Sequence, residues 1–372
     1  MKNNKSPITI SILNWRDIHH PLAGGAEISL HEHAKYWIQR GARVYWYSSS
    51  WSEAKQDETI DGIKIKRMGS HYTVHLLFFL NYLTGKIPKT QILIDSFHFV
   101  PFFSPLFAKK SKVIALINEV AGDLWDSNMP QPFAFIGRKI EPLFFKIYKK
   151  NTFITSSDST KNELLTLGIS QKNIRLVPHG VTTVPVKGLV NKEKKPTILF
   201  LNRVSEDKGI GDLLQAFSYL QKNILDIQLW IVGKEEQEGI LKVLLNKYNL
   251  GKNIKYFGFV SQKEKFELMK KAWVLVHPSK KEGWGLTVIE AASQGTPTIG
   301  YDVPGLRDSI QNNKTGLLVE PSISGIRSGV EVVVSNNSLR LEFGKNCIDW
   351  SKKFSWEIAG RKSWEVLRSV LD

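Results

Sequence analysis

Short apolar runs alternate along the chain with longer stretches of helical spacing. Residues 8–13 form one such run. A loop with Pro21 and Gly24-Gly25 follows, residues 26–40 repeat apolar positions at helical intervals up to Gly41, and residues 42–47 are apolar again. Strand, helix, strand in this order predicts a parallel sheet with crossover helices. Further strands are predicted at 92–94, 112–117 and 153–156. Between Val181 and Pro196 the composition turns to Thr, Pro, Gly, Lys and Asn, as an exposed interdomain linker would. The pattern then restarts, with buried-type strands predicted at 197–201, 228–232, 254–257, 274–277 and 298–301. The expectation is an α/β chain of two Rossmann-like, doubly wound domains facing a central cleft. They occupy residues 1–185 and 186–350, followed by a terminal segment at 351–372. Ligands of such sheets sit outside the carboxyl ends of the strands, so chemistry is sought in the strand-to-helix loops.

A length of 372 residues agrees with two cores rather than one. The single cysteine, Cys347, excludes an internal disulfide. The first apolar run is too short for a signal-peptide core, and the longest, 74–83, falls far below a membrane span, so a cytoplasmic protein is expected. The net charge of +16 asks for an anionic partner: nucleic acid, an anionic membrane surface or a phosphate-bearing substrate. His31-Glu32-His33 places two histidines on different sides of a helix, and no metal site is expected.

The most informative loop runs from Glu282 through Gly283-Trp284-Gly285-Leu286 to Glu290. Its glycines let a ligand approach the backbone, and the helix that starts near Leu286 offers unpaired N–H groups and a favourable dipole to a phosphate. Glu290 has the acceptor capacity to hold both hydroxyls of a ribose, and Glu282 could do likewise for a sugar. By spacing alone, both carboxylates read equally well as solvent-facing charges.

The Glu282-to-Glu290 segment, continuing through Gly295-Thr296-Pro297 to Gly305, resembles the E-x7-E region of retaining glycosyltransferases of family 4, which have the GT-B fold. The family's usual Gly-Gly pair here reads Pro304-Gly305. Arg203 and Lys208 match its arginine and, five residues on, its lysine before glycine. A guanidinium and an ammonium converging on a diphosphate would neutralise the leaving group. Gly24-Gly25 resembles the glycine-rich loop of the family's first domain, and Gly258-Phe259-Val260 its base-contacting loop. Where many members have a histidine after the strand at 113–117, this chain has Asn118, which does not titrate near neutrality. Asn118 can still donate and accept hydrogen bonds, so Asn118 and His98 are both candidates for contact with the sugar or acceptor, His98 against a structural role of at least equal weight.

What the resemblance implies is a nucleotide-sugar donor held by Gly24, Gly25, Gly258, Phe259, Val260, Gly283, Trp284, Gly285, Leu286 and Glu290, with Glu282, Arg203 and Lys208 catalytic and no metal or other cofactor. It implies transfer with retention to a glycan or lipid-linked acceptor, and a C-terminal helix that crosses back to the first domain. Residues 136–150 combine a stripe of Ile140, Phe144 and Ile147 with Arg138, Lys139, Lys146, Lys149 and Lys150, a pattern suited to an anionic membrane surface at the inner face. The competing readings are a GT-B epimerase or soluble-acceptor synthase, and a basic nucleic-acid-binding protein, for which no module is visible. A nicotinamide-dependent dehydrogenase fits less well, since no G-x-G-x-x-G follows the first strand.

Overall fold

The computed structural model describes residues 6–182 and 191–372. It divides into two compact units: residues up to Gly180 together with Trp356–Asp372, and Val181–Ser355. The sequence expectation had placed these divisions at 185/186 and 350/351.

In the first unit, β1 (Thr9–Leu13), β2 (Arg43–Ser48), β3 (Asp57–Ile60), β4 (Ile63–Arg67), β5 (Ile92–Ser96), β6 (Lys112–Leu116), β7 (Thr152–Thr155) and β8 (Ile174–Leu176) form one sheet. Its order is β3-β4-β2-β1-β5-β6-β7-β8, and every neighbouring pair is parallel except β3 with β4. The central strands are largely buried on both faces, which is why they read as mainly apolar runs. The β3–β4 hairpin lies at the sheet edge with alternating exposure and had no such signal.

The helix Trp356–Ser369 belongs to this unit. Trp37 Nε1 donates to Ser363 Oγ at 2.9 Å, and Val366 and Leu367 are buried in the same core as Ile10 and Ile12. Gly360 is required here, because a Cβ would meet the Tyr36 ring at 2.4 Å.

The second unit holds β9 (Thr197–Leu201), β10 (Gln228–Val232), β11 (Ile254–Gly258), β12 (Val274–His277), β13 (Thr298–Tyr301) and β14 (Gly316–Val319). Their order, β11-β10-β9-β12-β13-β14, is fully parallel and reverses direction between β9 and β12. Two adjacent strands whose chains depart to opposite sides leave a crevice at their carboxyl ends. The loops after β9 and β12 open there.

Two expectations need correction. The segment before β9 is not a free linker throughout: Glu193 N donates to Lys271 O at 2.9 Å, Trp273 Nε1 donates to Glu193 O at 2.7 Å, and Lys192 bonds Thr296. Residues 183–190 of that stretch lie outside the described residues. On the helix Phe133–Tyr148, Phe144 is buried, so the exposed apolar stripe is not the one expected.

Candidate active site

Three loops meet at the β9/β12 crevice of the second unit, and glycines make their contact possible. Gly209 has φ +72 and would press a Cβ to 2.0 Å from Pro278 O; Gly305 has φ +81 and would press one to 2.1 Å from Glu282 O. Only glycine meets both the left-handed backbone and the close approach. Lys280 N donates to Asp207 O at 3.1 Å, a further tie between the loops after β9 and β12.

This closure brings Lys208 and Glu282 together. The Lys208 ammonium donates to Glu282 Oε1 at 2.7 Å, with both side chains about five-sixths buried. Burial alone would raise the Glu282 pKa, but Lys208 and then His277 outweigh it and hold the carboxyl below its ordinary value. His277, the buried last residue of β12, has Nε2 3.8 Å from Glu282 Oε1 and a pKa lowered by burial. Asp207 stands between two cations, 4.0 Å from Lys208 Nζ and 3.4 Å from a guanidinium nitrogen of Arg203. Arg203 also donates to Glu236 at 2.8 Å and is half exposed. Arg203 and Lys208 thus converge on one anionic position.

Gly285, at φ +84, caps the helix Leu286–Ser293, and its first-turn N–H groups have no preceding helical carbonyl. Gly283 precedes it in the same loop. The Trp284 side chain packs against Phe354, Val181 and Ile289, so what this residue offers a ligand is its backbone.

Glu290 lies on the helix and pairs with another lysine: Lys265 Nζ donates to Glu290 Oε1 at 2.7 Å. Burial raises the Glu290 pKa, with Lys265 opposing. Lys265 stands on the helix Gln262–Lys271, which directly follows Gly258, Phe259 and Val260. Gly258 ends β11 at φ +63, and Phe259 is 77% exposed beside the Lys234 ammonium. Lys265 therefore ties the 258–260 loop to the Glu290 helix.

The first unit carries its own polar cluster. Gly24 caps the helix Gly25–Gln39, and its N–H donates at 2.8 Å to Glu27 Oε2. Gly25 stays at the first helical position. Glu27 is fully buried; Arg16 lies 3.1 Å and His98 Nε2 also 3.1 Å from its other oxygen. Burial opposes ionisation, but His98, Arg16 and the Gly24 amide overcome it and bring Glu27 down to about 2. His98 is thus a partner of Glu27. Asn118 lines a separate small cavity with Ser29, His33 and His179. Ser29 Oγ lies 2.6 Å from His179 Nδ1, and burial lowers His179 to about 4 and His33 to about 3.

Lys265, His277, Asp207 and Glu27 escaped the sequence reading. Glu27 had a usable signal, since an acidic residue three positions after a helix cap is a capping-box pattern. Lys265 had none, standing 25 residues from its partner.

Residues 23–184 match the family described as Glycosyltransferase Family 4, and residues 186–350 match Glycosyl transferases group 1. The capsular polysaccharide biosynthesis glycosyltransferase CapM of Staphylococcus aureus is 26% identical over 228 residues, 59% of this chain and 58% of the relative. The chain spans about half the length of several curated relatives it matches.

Among solved structures, sucrose-phosphate synthase from Thermosynechococcus elongatus superposes with a TM-score of 0.80 at 18% identity, covering 98% of this chain and 99% of that one. HepE of Anabaena, solved with UDP and glucose, gives 0.76 at 14% identity, covering 97% and 100%. These likenesses establish a shared GT-B fold. With both halves matched, the chain belongs to the glycosyltransferases that these two family descriptions name.

Proposed function

We propose that this chain transfers a sugar, with retention of anomeric configuration, from a nucleotide-diphosphate sugar to a glycan or lipid-linked acceptor in cell-surface polysaccharide or glycolipid assembly. The observation that carries the reading is the buried Lys208–Glu282 pair beside the helix that starts at Leu286, with Arg203 sharing Asp207. A diphosphate in this position would replace the carboxylates as partner of the two cations and lie against the first-turn amides. Glu282 would then turn to hydroxyls of the transferred sugar. Glu290 would hold the ribose, and the backbone of Gly258–Val260 the base.

In the retaining step, the bond from the anomeric carbon to the leaving phosphate breaks and the bond to the acceptor oxygen forms on the same face. The acceptor proton passes to the departing phosphate oxygen. The protein's main contribution is to stabilise the charge on that phosphate, which needs preorganised cations and amides rather than a metal. The relative that acts in capsular polysaccharide synthesis supports the acceptor class, and the relative solved with UDP and glucose supports the donor class. The enzyme would work in the cytoplasm, peripheral at the inner face of the membrane.

Incubation with a panel of nucleotide sugars and candidate acceptors, with NMR of the product, tests this. Transfer that preserves the donor's anomeric configuration is expected. Inversion would remove the retaining mechanism, isomerised donor without transfer would favour an epimerase, and failure to bind any nucleotide sugar would remove the whole reading.

A further inference from the structure

The helix Phe133–Tyr148 is sharply divided in its chemistry. Its inner face buries Ala134, Gly137, Phe144, Phe145 and Tyr148. Ile136, Ile140 and Leu143 are 48%, 39% and 51% exposed, and with half-buried Ile147 they follow i, i+4, i+7, i+11 spacing, one continuous stripe. Phe133 and Phe135 extend the exposed apolar surface at the helix start, at 63% and 51%. Lys139, Lys146 and Lys150 run alongside at i, i+7, i+11 and are exposed.

The helix has one carboxylate, Glu141, and it is turned inward, accepting from the N–H groups of Ala121 and Gly122 at 2.8 Å each and from Trp125 Nε1 at 3.1 Å. Arg138 is already paired with Asp126. The outward charge that remains is lysine only.

The stripe leads into a cavity of about 480 Å3, lined by Lys109, Lys146, Lys149 and Lys150 with Ala108 and Ile147. Among the described residues none of these four lysines makes an ion pair. Lys109 precedes β6, and Lys149 and Lys150 precede β7. The cavity therefore lies at the amino ends of the strands, opposite the strand ends that carry the Gly24 loop, His98 and Asn118.

We propose that this face docks on an anionic lipid bilayer, with the apolar stripe in the acyl boundary and the lysine-lined cavity around a lipid phosphate headgroup. Isoleucine and leucine beside lysine is the composition that suits hydrocarbon lying beneath a layer of phosphates: the side chains enter, and the ammonium groups reach back to the charged layer. A second copy of the chain is the wrong occupant, since a two-fold contact would set lysine against lysine. The docking rests on the proposed function only for its purpose, which is to bring a membrane-borne acceptor within reach. Its physical basis is independent of that reading.

Co-sedimentation of the full chain with vesicles of phosphatidylcholine, with and without phosphatidylglycerol, is the test. Binding to the anionic vesicles alone, weakening as salt is raised, is expected. Lys146→Gln with Lys149→Gln should weaken it on the order of thirtyfold, taking roughly 1 kcal/mol for each lysine near the surface. Ile140→Ser with Leu143→Ser should weaken it by roughly tenfold or more. Lys242→Gln with Val243→Ser, a surface pair on the second unit, should leave it unchanged. Equal binding to phosphatidylcholine alone, no binding at low salt, full binding by the helix variants, or binding to oligonucleotide in place of vesicles would each overturn the proposal. Thermal shift with nucleotide sugars, run on the same proteins, separates the two readings: donor binding without vesicle binding sinks the docking alone, and vesicle binding without donor binding sinks the transferase assignment alone.

Discussion

The Lys208 ammonium lies 2.7 Å from a carboxylate oxygen of Glu282, whose backbone carbonyl packs so closely on Gly305 that a Cβ there would lie 2.1 Å from it. In the proposed function a bound diphosphate takes the ammonium over from Glu282, so the cation already faces the leaving phosphate when charge develops there. Lys208→Ala should lower kcat by roughly 10²–10³-fold, the scale for removing one such group, with acceptor KM nearly unchanged. Steady-state kinetics in both substrates checks this; a raised acceptor KM at normal turnover would reject the assignment.

In the proposed function Glu290 holds the ribose, so its loss should act differently. A buried carboxylate that accepts ribose hydroxyls binds ground state and transition state alike, so Glu290→Gln should raise donor KM by roughly tenfold or more and change kcat little. Burial already raises its pKa, with Lys265 restraining it. Lys265→Ala removes that restraint, so donor KM in the variant should begin to climb at a higher pH on the acid side than in the parent. A KM–pH profile for both proteins decides.

Much of this site was legible in sequence because its determinants are local. The strands β9, β10 and β12 are largely apolar runs, and Glu282, Gly285 and Glu290 fall on one loop and helix, where the resemblance of the whole segment, and not spacing alone, singles them out. Pairs between distant segments left no trace: Lys265 with Glu290, Arg203 with Glu236, and His98 with Glu27 form only after the sheets are assembled. The hairpin Asp57–Ile60 and Ile63–Arg67 was missed because an edge hairpin is half solvated and carries many charges. The choice between Leu143 and Phe144 as the outward residue needed the contact of Gly137 with the Trp125 ring, which fixes how the helix rolls.

The loops should be intolerant of even one methyl group. At Gly305, alanine faces φ +81 and a carbonyl at 2.1 Å, with backbone on both sides of the clash. Gly305→Ala should destabilise the second unit by roughly 1–3 kcal/mol, and it should displace Glu282, lowering activity beyond what the fraction unfolded explains. Gly168→Ala has a similar φ of +81 and nothing within 4 Å, and it serves as the control for backbone strain without a clash. Denaturant melts with activity measured on the folded fraction separate the two effects.

If two cations and a helix terminus neutralise the leaving diphosphate, a divalent metal has no necessary place there. Transfer rates should be unchanged within about twofold after EDTA treatment. A rate that collapses with EDTA and returns with added magnesium or manganese would show that Arg203 and Lys208 do not suffice.

Acid should weaken the first unit well before it weakens an ordinary domain. His33 and His179 are buried neutral, with pKa values lowered from 6.5 to about 3 and about 4. The unfolded chain binds a proton at each below pH 6.5 and the folded chain does not. Their contribution is therefore fully present above about pH 6.5 and is lost as pH falls towards 4, with a limiting slope of about 2.7 kcal/mol per pH unit for two protons. Glu27 adds to this at lower pH: its value falls from 4.5 to about 2 on folding, so its contribution is present above 4.5 and is lost as pH falls through that interval. Urea melts from about pH 7.5 down to about pH 4.5 should show the midpoint flat and then falling. Burial also lowers His20 and His75 of the same unit, which add to the fall. His33→Gln should therefore reduce the slope by up to about 1.4 kcal/mol per pH unit, the share of one proton; an unaltered slope would mean that His33 is not held neutral in the fold.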